Sequence, residues 1–202
     1  MSGCQYDRRV AQLTTARLVL RQWVDDDLAP FAALNADPEV MRHFPEPLSR
    51  SQSDRLAAQI RASLEREGWG LWAVEVPGAA SFIGFVGLNK VGFEAHFTPA
   101  IEVGWRLDRR YWGHGYATEA GRTALAFAFG QLGCEEIVSF TATVNRRSIR
   151  VMERLRMLRD PADDFDHPTV ADSVLRRHVL YRLARQQWLG GPNNALSEAN
   201  QF

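Results

Sequence analysis

The stretch from Arg110 to Ala117 combines a cation with two closely spaced glycines, between a strand-like segment and a helix-like one. Glycines let the backbone approach a ligand closely, and the first turn of a helix presents N–H groups that have no partner within the helix. Because the positive end of the helix dipole lies at the same place, such a turn is suited to binding phosphate. We therefore expect Arg110, Gly113 and Gly115 to form an anion site.

Three other interpretations of these glycines compete with that one. A dinucleotide-binding G-x-G-x-x-G turn needs a third glycine where Thr118 stands, and it follows the first strand of its fold rather than one past mid-chain. A G-x-x-x-x-G-K-[ST] phosphate loop needs a lysine, which this turn lacks. Glycines that only permit a tight bend need no ligand, and the glycines by themselves leave that alternative open.

The composition is that of an ordinary globular chain. Its 202 residues are 46% hydrophobic and 24% charged, which is enough to form one domain with a core of its own. The 24 basic residues balance the 24 acidic ones, so we expect no stable binding to nucleic acid. No apolar run approaches the roughly 20 residues that span a bilayer, so we expect no membrane segment.

The cysteines and histidines suggest neither disulfides nor a metal. Cys4 and Cys134 are too few for a disulfide framework, which favours a reducing compartment and a cytoplasmic location. His43, His167 and His178 share no ligand spacing, and we therefore predict that the protein binds no metal.

Hydrophobic periodicity defines the elements that must position the turn. Alternation predicts a strand at residues 17–22. Further strand-like segments lie at residues 71–76, 81–89, 100–107, 137–143 and 178–183. Helical spacing predicts helices at residues 25–35, 49–67, 116–131 and 147–156. This order indicates the α/β (α+β) class, with a mixed, mostly antiparallel sheet flanked by helices. We expect one domain at residues 15–188 and flexible tails at residues 1–14 and 189–202.

The motif Arg110-x-x-Gly113-x-Gly115 resembles that of the GNAT acetyltransferases, Q/R-x-x-G-x-G/A, which binds the pyrophosphate of acetyl-coenzyme A (acetyl-CoA) at a strand-to-helix turn. Other segments share the resemblance: RLVLR from residue 17, FIGFVG from 82, IEVGW from 101 and N-x-x-S-x-R-V-M-E from 145. Together they resemble the RimJ/RimL-like branch, the ribosomal-protein N-acetyltransferases.

The resemblance implies acetyl-CoA as cosubstrate, held where the fourth and fifth predicted strands, residues 100–107 and 137–143, splay apart. The backbone of Trp105, Arg106 and Leu107 would bond the pantetheine arm. Arg110 and the N–H groups of the turn would hold the pyrophosphate. The residues of that turn are Gly113, His114, Gly115, Tyr116 and Ala117.

The resemblance places Asn145 beside the pantetheine and Ser148 near the thioester sulfur. Many members carry a tyrosine seven residues after that asparagine to protonate the leaving thiolate, but Met152 stands there in this chain. A thiol has a pKa near 8.5, so its thiolate needs little acid help, and Ser148 or a water remains as donor.

Arg156 stands where the family favours a glycine; in a left-handed conformation it would be strained by about 1 kcal/mol.

Attack on the thioester needs a neutral amine. Deprotonation at pH 7 costs about 1.4 kcal/mol for an α-amino group and about 4.6 for a lysine, so a weak base suffices for N-terminal acceptors. Glu102, eight residues before Arg110, resembles the acidic residue that some members use directly or through water. A strand-edge charge paired with an arginine is the alternative interpretation. His96 is a second candidate base.

Arginines recur at 146, 150 and 154 and share one helix face. They are either a solvated face, a contact with ribosomal RNA, or a contact with the 3′-phosphate of the coenzyme, for which Arg146 and Arg150 are the candidates.

We therefore expect an acetyl-CoA-dependent N-acetyltransferase that acts on a primary amine, a protein N-terminus or a small molecule, by direct transfer in a ternary complex. Met152 keeps open the alternative of a non-catalytic coenzyme A sensor with a GNAT fold. The identity of the acceptor and the oligomeric state, with a homodimer among the options, stay open.

Overall fold

A twisted sheet of nine strands forms the centre of the protein, whose computed structural model describes residues 10–191. The strand order is β1-β2-β3-β4-β5-β6-β9-β7, and β8 also pairs with β9. The strands are β1 Leu13–Thr14, β2 Val19–Arg21, β3 Leu71–Val76, β4 Ala80–Lys90, β5 Ile101–Leu107, β6 Glu136–Ala142, β7 Leu158–Arg159, β8 Phe165–Asp166 and β9 Arg177–Ala184.

Five α-helices connect and cover these strands within the described residues. They are α1 Leu28–Ala36, α2 Arg50–Glu67, α3 Tyr116–Gly130, α4 Arg146–Arg154 and α5 Arg185–Gly190. The start of α2 follows from its sequence, because Ser49 accepts a hydrogen bond from the Gln52 N–H while the Gln52 side chain bonds back to Ser49. The helix ends at Gly68, which takes the left-handed conformation.

The predicted α/β class and the mixed, mostly antiparallel sheet are confirmed. The predicted strands and helices agree with those observed to within three residues at each end, the largest difference being at α1, which begins at Leu28 rather than at residue 25. Four short elements were not predicted: β1, β7, β8 and α5. The sheet begins at Leu13, two residues before the expected domain start, and α5 extends to Gly190, inside the expected C-terminal tail. The flexibility predicted for residues 1–9 and 192–202 falls outside the described residues.

The helices lie on opposite faces of the sheet. Phe31 of α1 packs on Phe85, with ring centroids 6.0 Å apart, and Phe127 of α3 packs on Trp72 at 5.6 Å. Trp72 is the cross-strand partner of Val86, the residue after Phe85. Because successive residues of a strand point to opposite faces, α1 and α3 cover different sides of the sheet.

The seam between β5 and β6 differs from every other one in the described sheet. These two strands run parallel and pair at one position, Glu102 with Val138, whereas β4 and β5 pair continuously from Lys90–Ile101 to Gly84–Leu107. Beyond Glu102 the strands diverge. The predicted splay between the fourth and fifth long strands is therefore present.

Candidate active site

The opening between β5 and β6 is lined by the free edge of β5. The N–H of Asp108 donates to the carbonyl of Ile83 at 2.9 Å, which continues the ladder in which Arg106 pairs with Phe85. In an antiparallel pair, alternate residues bond the same neighbour. The backbone groups of Trp105 and Leu107 are therefore directed away from β4 and into the opening.

Because of this alternation, the backbones of the three residues predicted to bond a pantetheine arm do not all face the opening. Trp105 and Leu107 face the opening, although the Leu107 carbonyl already accepts the Trp112 Nε1–H at 2.8 Å. The Arg106 backbone instead faces β4, because it occupies the intervening position of the strand. The prediction that all three backbones bond the pantetheine arm is therefore wrong for Arg106, whose backbone groups pair with β4 instead.

The glycine turn has the conformation that an anion site needs. Gly113 and Gly115 both have φ of +83°, which residues with a Cβ rarely adopt. Gly115 is the N-cap of α3 and has no side chain to satisfy the first N–H groups of the helix, those of Tyr116 and Ala117 among them. A Cβ on Gly113 would meet nothing within 4 Å, so conformation rather than crowding requires glycine there.

Arg17 and Glu119 hold this turn in place. The Arg17 guanidinium donates to the His114 carbonyl at 3.1 Å and to the Glu119 carboxylate at 2.7 Å, and it lies 4.8 Å over the Tyr116 ring. Partial burial acts to raise the pKa of Glu119, but hydrogen bonds from Thr15 and Arg17 outweigh it and leave the pKa lowered. Sequence reasoning assigned no role to this pair, since 102 residues separate its members.

Arg110 lies at the predicted place, but its side chain already forms a salt bridge within the protein. Its exposed guanidinium pairs with the carboxylate of Asp108, with Nη2 and Oδ2 2.6 Å apart. The hydrogen bond from Arg110 lowers the pKa of Asp108. The side chain would have to leave this carboxylate to bind a diphosphate. The His114 side chain is also exposed and stacks on Tyr116, with ring centroids 5.5 Å apart.

Asn145 and Ser148 meet Trp105 at the other side of the opening. Asn145 caps α4 by accepting the Ser148 N–H at 3.2 Å, and its amide donates to Ser148 Oγ at 3.1 Å. The indole of Trp105 donates to the same oxygen at 3.3 Å. A hydroxyl has two lone pairs and one hydrogen. Because both lone pairs of Ser148 are used, its hydrogen is free to be donated to a further group.

Glu102 lies at the apex of the opening, opposite Val138. Part of its side chain remains open to solvent, but burial of the carboxyl group raises its pKa to about 8. Within residues 10–191 no cation or hydrogen-bond donor contacts the carboxyl, so the alternative of an arginine-paired charge is not what the structure shows. Gly104, two residues along the same face, leaves space beside it: a Cβ there would lie 3.7 Å from Glu102 Oε1.

The remaining predicted positions lie elsewhere. His96 contacts Asp163, with Nε2 and Oδ1 3.3 Å apart, and packs edge-to-face against Phe97. Met152 is fully buried in the main core, so it does not face the opening. Arg156 has φ of +62° and the backbone bonds of a left-handed helix end, which matches the strain anticipated from the sequence.

The basic face of α4 is open to solvent. The side chains of Arg146 and Arg150 are exposed, and Arg147 lies 4.3 Å over the Trp112 ring. Along residues 10–191, no group of three or more His, Cys, Asp or Glu side chains is arranged to hold a metal ion. In the same part of the chain, no helix combines the length and the apolar character needed to cross a membrane.

Comparison with known proteins shows the family to which this chain belongs. Residues 17–158 match the family model described as acetyltransferase (GNAT) domain. The FsC-acetyl coenzyme A-N(2)-transacetylase of Aspergillus fumigatus is 26% identical over 94% of this chain and 83% of its own length. The uncharacterized protein YkkB of Bacillus subtilis is 30% identical over 72% of this chain and 84% of its own.

A solved structure shares the fold. The spermidine N-acetyltransferase from Vibrio cholerae, in complex with CoA and spermine, superimposes with a TM-score of 0.68 at 18% identity, covering 87% of this chain and 100% of that one. The chain belongs to the GNAT acetyltransferase family, which uses acetyl-CoA, and it is an N-acetyltransferase.

Proposed function

We propose that the protein transfers an acetyl group from acetyl-CoA to a primary amine, directly, within a ternary complex. The observation that carries the proposal is the β5–β6 opening, which has a base of suitable pKa at its apex and free backbone groups along one edge. The glycine turn at the start of α3 lies beyond the end of the same strand. One ligand with amide groups and a diphosphate fits both features.

Different residues of the chain bind different parts of the coenzyme. The backbone groups of Trp105 pair with the amides of the pantetheine arm, as a neighbouring strand would. The N–H groups at the start of α3 hold the pyrophosphate, with the turn fixed by Arg17 and Glu119. Arg110 exchanges its bond with Asp108 for one with a phosphate oxygen.

Glu102 then takes a proton from the acceptor. The amine nitrogen attacks the thioester carbonyl carbon, its proton passes to the Glu102 carboxylate directly or through a water, and the C–S bond breaks. A base with a pKa near the working pH is efficient, because it is partly ionised yet still basic. At pH 7 a carboxyl group of pKa about 8 is mostly protonated, but the positive charge of an arriving ammonium group favours its ionised form.

Ser148 stabilises the leaving thiolate. Its hydroxyl accepts bonds from Trp105 and Asn145, which directs the remaining hydrogen outward. Met152, at the position of the family's tyrosine, is sealed in the core, so the acid role cannot fall to that position.

Release of coenzyme A thiol tests the proposal. Purified protein is incubated with acetyl-CoA and a panel of N-terminal peptides, polyamines, amino acids and amino sugars, and coenzyme binding is measured separately by calorimetry. We expect amine-dependent thiol release. A protein that binds the coenzyme but releases no thiol above hydrolysis with any amine is a sensor, the alternative for which the comparisons give no support.

We also propose that the chain belongs to the RimJ/RimL-like branch. The support is the RLVLR segment at residues 17–21, whose Arg17 fixes the glycine turn, together with the N-x-x-S segment that forms the cap of α4. N-terminal peptides are the acceptors that test this assignment, with the same peptides acetylated at their N-terminus as the matched negative control.

A further inference from the structure

Arg106 extends from β5 on the same face as Glu102. Its guanidinium carbon lies 4.1 Å from the centre of the Phe44 ring and 5.5 Å from that of Phe85. One hydrogen bond is made, from Nη1 to the Asn35 side-chain oxygen at 2.6 Å. The guanidinium is therefore enclosed by aromatic rings and a neutral amide.

No carboxylate of the described chain neutralises this cation. Arg106 Nε has neither solvent contact nor a hydrogen-bond partner, and Nη2 has no partner either, although solvent reaches it. Desolvation lowers the pKa of Arg106 to about 10, with no acidic group to oppose it. An enclosed, uncompensated charge is costly, so its retention calls for an explanation.

Arg21 shows how this protein treats a comparable arginine. Its side chain is 15% exposed, and it pairs with Asp27 at 2.8 Å and with Glu75 at 2.9 Å. These hydrogen bonds raise the pKa of Arg21 against the effect of burial. Arg106 is also partly buried but has no such carboxylate partner, which suggests that an external anion completes its environment.

The surroundings of Arg106 are fixed rather than adaptable. Asn35 is fully buried, and its amide donates to Ser53 Oγ at 2.9 Å, which directs its carbonyl oxygen to the guanidinium. Phe44 is 37% exposed, so the ring that covers Arg106 also borders solvent. A ligand can therefore approach along this ring.

The position of Arg106 points to the acceptor rather than to the coenzyme. Glu102, Gly104 and Arg106 alternate onto the face covered by α1, whereas the glycine turn leads into α3 on the opposite face. The Cα atoms of Glu102 and Arg106 are separated by about 13 Å of strand, and Gly104 puts no side chain between them.

We propose that Arg106 binds an anionic oxygen group, a carboxylate or a phosphonate-like group, on the amine acceptor, and thereby selects amines that carry a negative charge. The proposal rests on the N-acetyltransferase function above. The acceptor's amino group lies at Glu102, and its anionic group contacts Nη2 of Arg106. A neutral amine of the same length would leave that cation uncompensated.

The test compares charged and neutral acceptors of matched length. Initial rates of thiol release give kcat/KM for ω-amino carboxylates from glycine to 6-aminohexanoate, for the corresponding primary amides, and for aminoalkylphosphonates. We expect the wild-type protein to prefer the anionic members by about tenfold or more. The carboxylate and phosphonate arms identify which anion is preferred.

Two substitutions then assign the preference to Arg106. In Arg106→Gln the preference for anionic acceptors should fall by about tenfold, while acetyl-CoA affinity and the rate with neutral amides stay near wild type. Arg106→Lys should keep part of it, because the charge remains without the planar fork. Arg55→Gln, an exposed arginine of α2, is the matched control and should change nothing.

The outcomes separate the two proposals. A wild-type protein that acetylates neutral amines as well as their anionic counterparts overturns the role of Arg106 but leaves the acetyltransferase function intact. A uniform loss of rate in Arg106→Gln for both classes overturns it as well, since that is a structural effect. Absence of thiol release with every amine overturns the function itself. If neither variant folds by circular dichroism, the wild-type series alone decides.

Discussion

The indole nitrogen of Trp105 lies 3.3 Å from the hydroxyl oxygen of Ser148 and joins β5 to α4 across the opening of the sheet. Together with the amide of Asn145 it occupies the accepting side of that hydroxyl. The arrangement leaves the serine able to act only as a donor. It also means that the serine's orientation depends on the same tryptophan whose backbone faces the coenzyme.

Loss of the Ser148 hydroxyl should slow the chemical step. One hydrogen bond to the leaving thiolate is worth about 0.5 to 1.5 kcal/mol, so Ser148→Ala should lower kcat about two- to thirteenfold. Single-turnover kinetics with saturating acetyl-CoA measures the effect where chemistry limits the rate. Ser148→Thr keeps a hydroxyl and serves as the control; a wild-type rate in the alanine variant removes Ser148 from the mechanism.

Replacement of Glu102 by glutamine should remove the base. We expect kcat to fall by about 10²-fold at pH 7 while coenzyme affinity is unchanged. The wild-type rate should rise towards pH 8 as the carboxyl ionises. Since higher pH also deprotonates the amine without help, the deficit of Glu102→Gln should narrow between pH 7 and pH 9. A constant deficit over that range means that Glu102 only positions the substrate.

The same substitution should stabilise the fold increasingly as the pH rises from 4.5 to 8. The folded-state pKa of Glu102, about 8, lies above its ordinary value of 4.5. Between these values the unfolded chain has released the proton and the folded chain retains it, so this group makes stability fall as pH rises. Relative to wild type, the unfolding free energy of Glu102→Gln should therefore increase by about 1 to 3 kcal/mol between pH 4.5 and pH 8. This range is smaller than the full pKa shift would give, because solvent screens a partly exposed side chain.

Chemical denaturation at several pH values measures that gain, and circular dichroism confirms that both proteins are folded at each one. A difference in unfolding free energy that stays constant over this range contradicts the raised pKa of Glu102. Such a result would remove the reason for a wild-type rate that rises towards pH 8, but not the expected loss of kcat in Glu102→Gln.

A Cβ in the glycine turn should weaken coenzyme binding. Because Gly115 has φ of +83°, Gly115→Val should lower acetyl-CoA affinity by about tenfold or more, whereas Gly115→Asn should lose less, since asparagine tolerates this conformation. Calorimetry measures both. Gly133 also has positive φ, at +66°, and nothing near its absent Cβ. Gly133→Val therefore gives the same backbone strain away from the turn and should leave affinity unchanged.

The end of α4 offers a stabilising substitution. Arg156 follows the helix with φ of +62°, its N–H bonds the Glu153 carbonyl, and the Met157 N–H bonds that of Met152. Glycine is favoured at this position because it has no Cβ to strain. Arg156→Gly should raise the unfolding free energy by about 0.5 to 1 kcal/mol without changing kcat/KM. A lower melting temperature would show that the Arg156 side chain stabilises the fold.

The long elements were predictable from the sequence because each carries a pattern over many residues. Residues 71–76 are a mostly apolar run, and residues 49–67 carry a helical stripe with a capping serine, so each was located to within a residue. The two-residue strands β1, β7 and β8 are too short to show alternation. Their pairing depends on β2 and β9 instead.

The site was predictable only where one segment contains it. The glycine turn and the Asn145–Ser148 cap are local patterns and could be read directly. The bond between Arg17 and Glu119 needs the fold to bring distant segments together. Likewise, sequence alone did not distinguish the backbone of Arg106, which faces β4, from those of its two neighbours.

The single register pair between Glu102 and Val138 has a consequence for how the sheet fluctuates. Strands β1–β5 and β6–β9 share almost no ladder hydrogen bonds, so amide hydrogens along the divergent edge of β5 are expected to exchange with solvent faster than those of β4. A bound coenzyme would act as a substitute strand and protect the Trp105 and Leu107 amides. Slowed exchange at this seam would then report occupancy of the site before any acetyl group has moved.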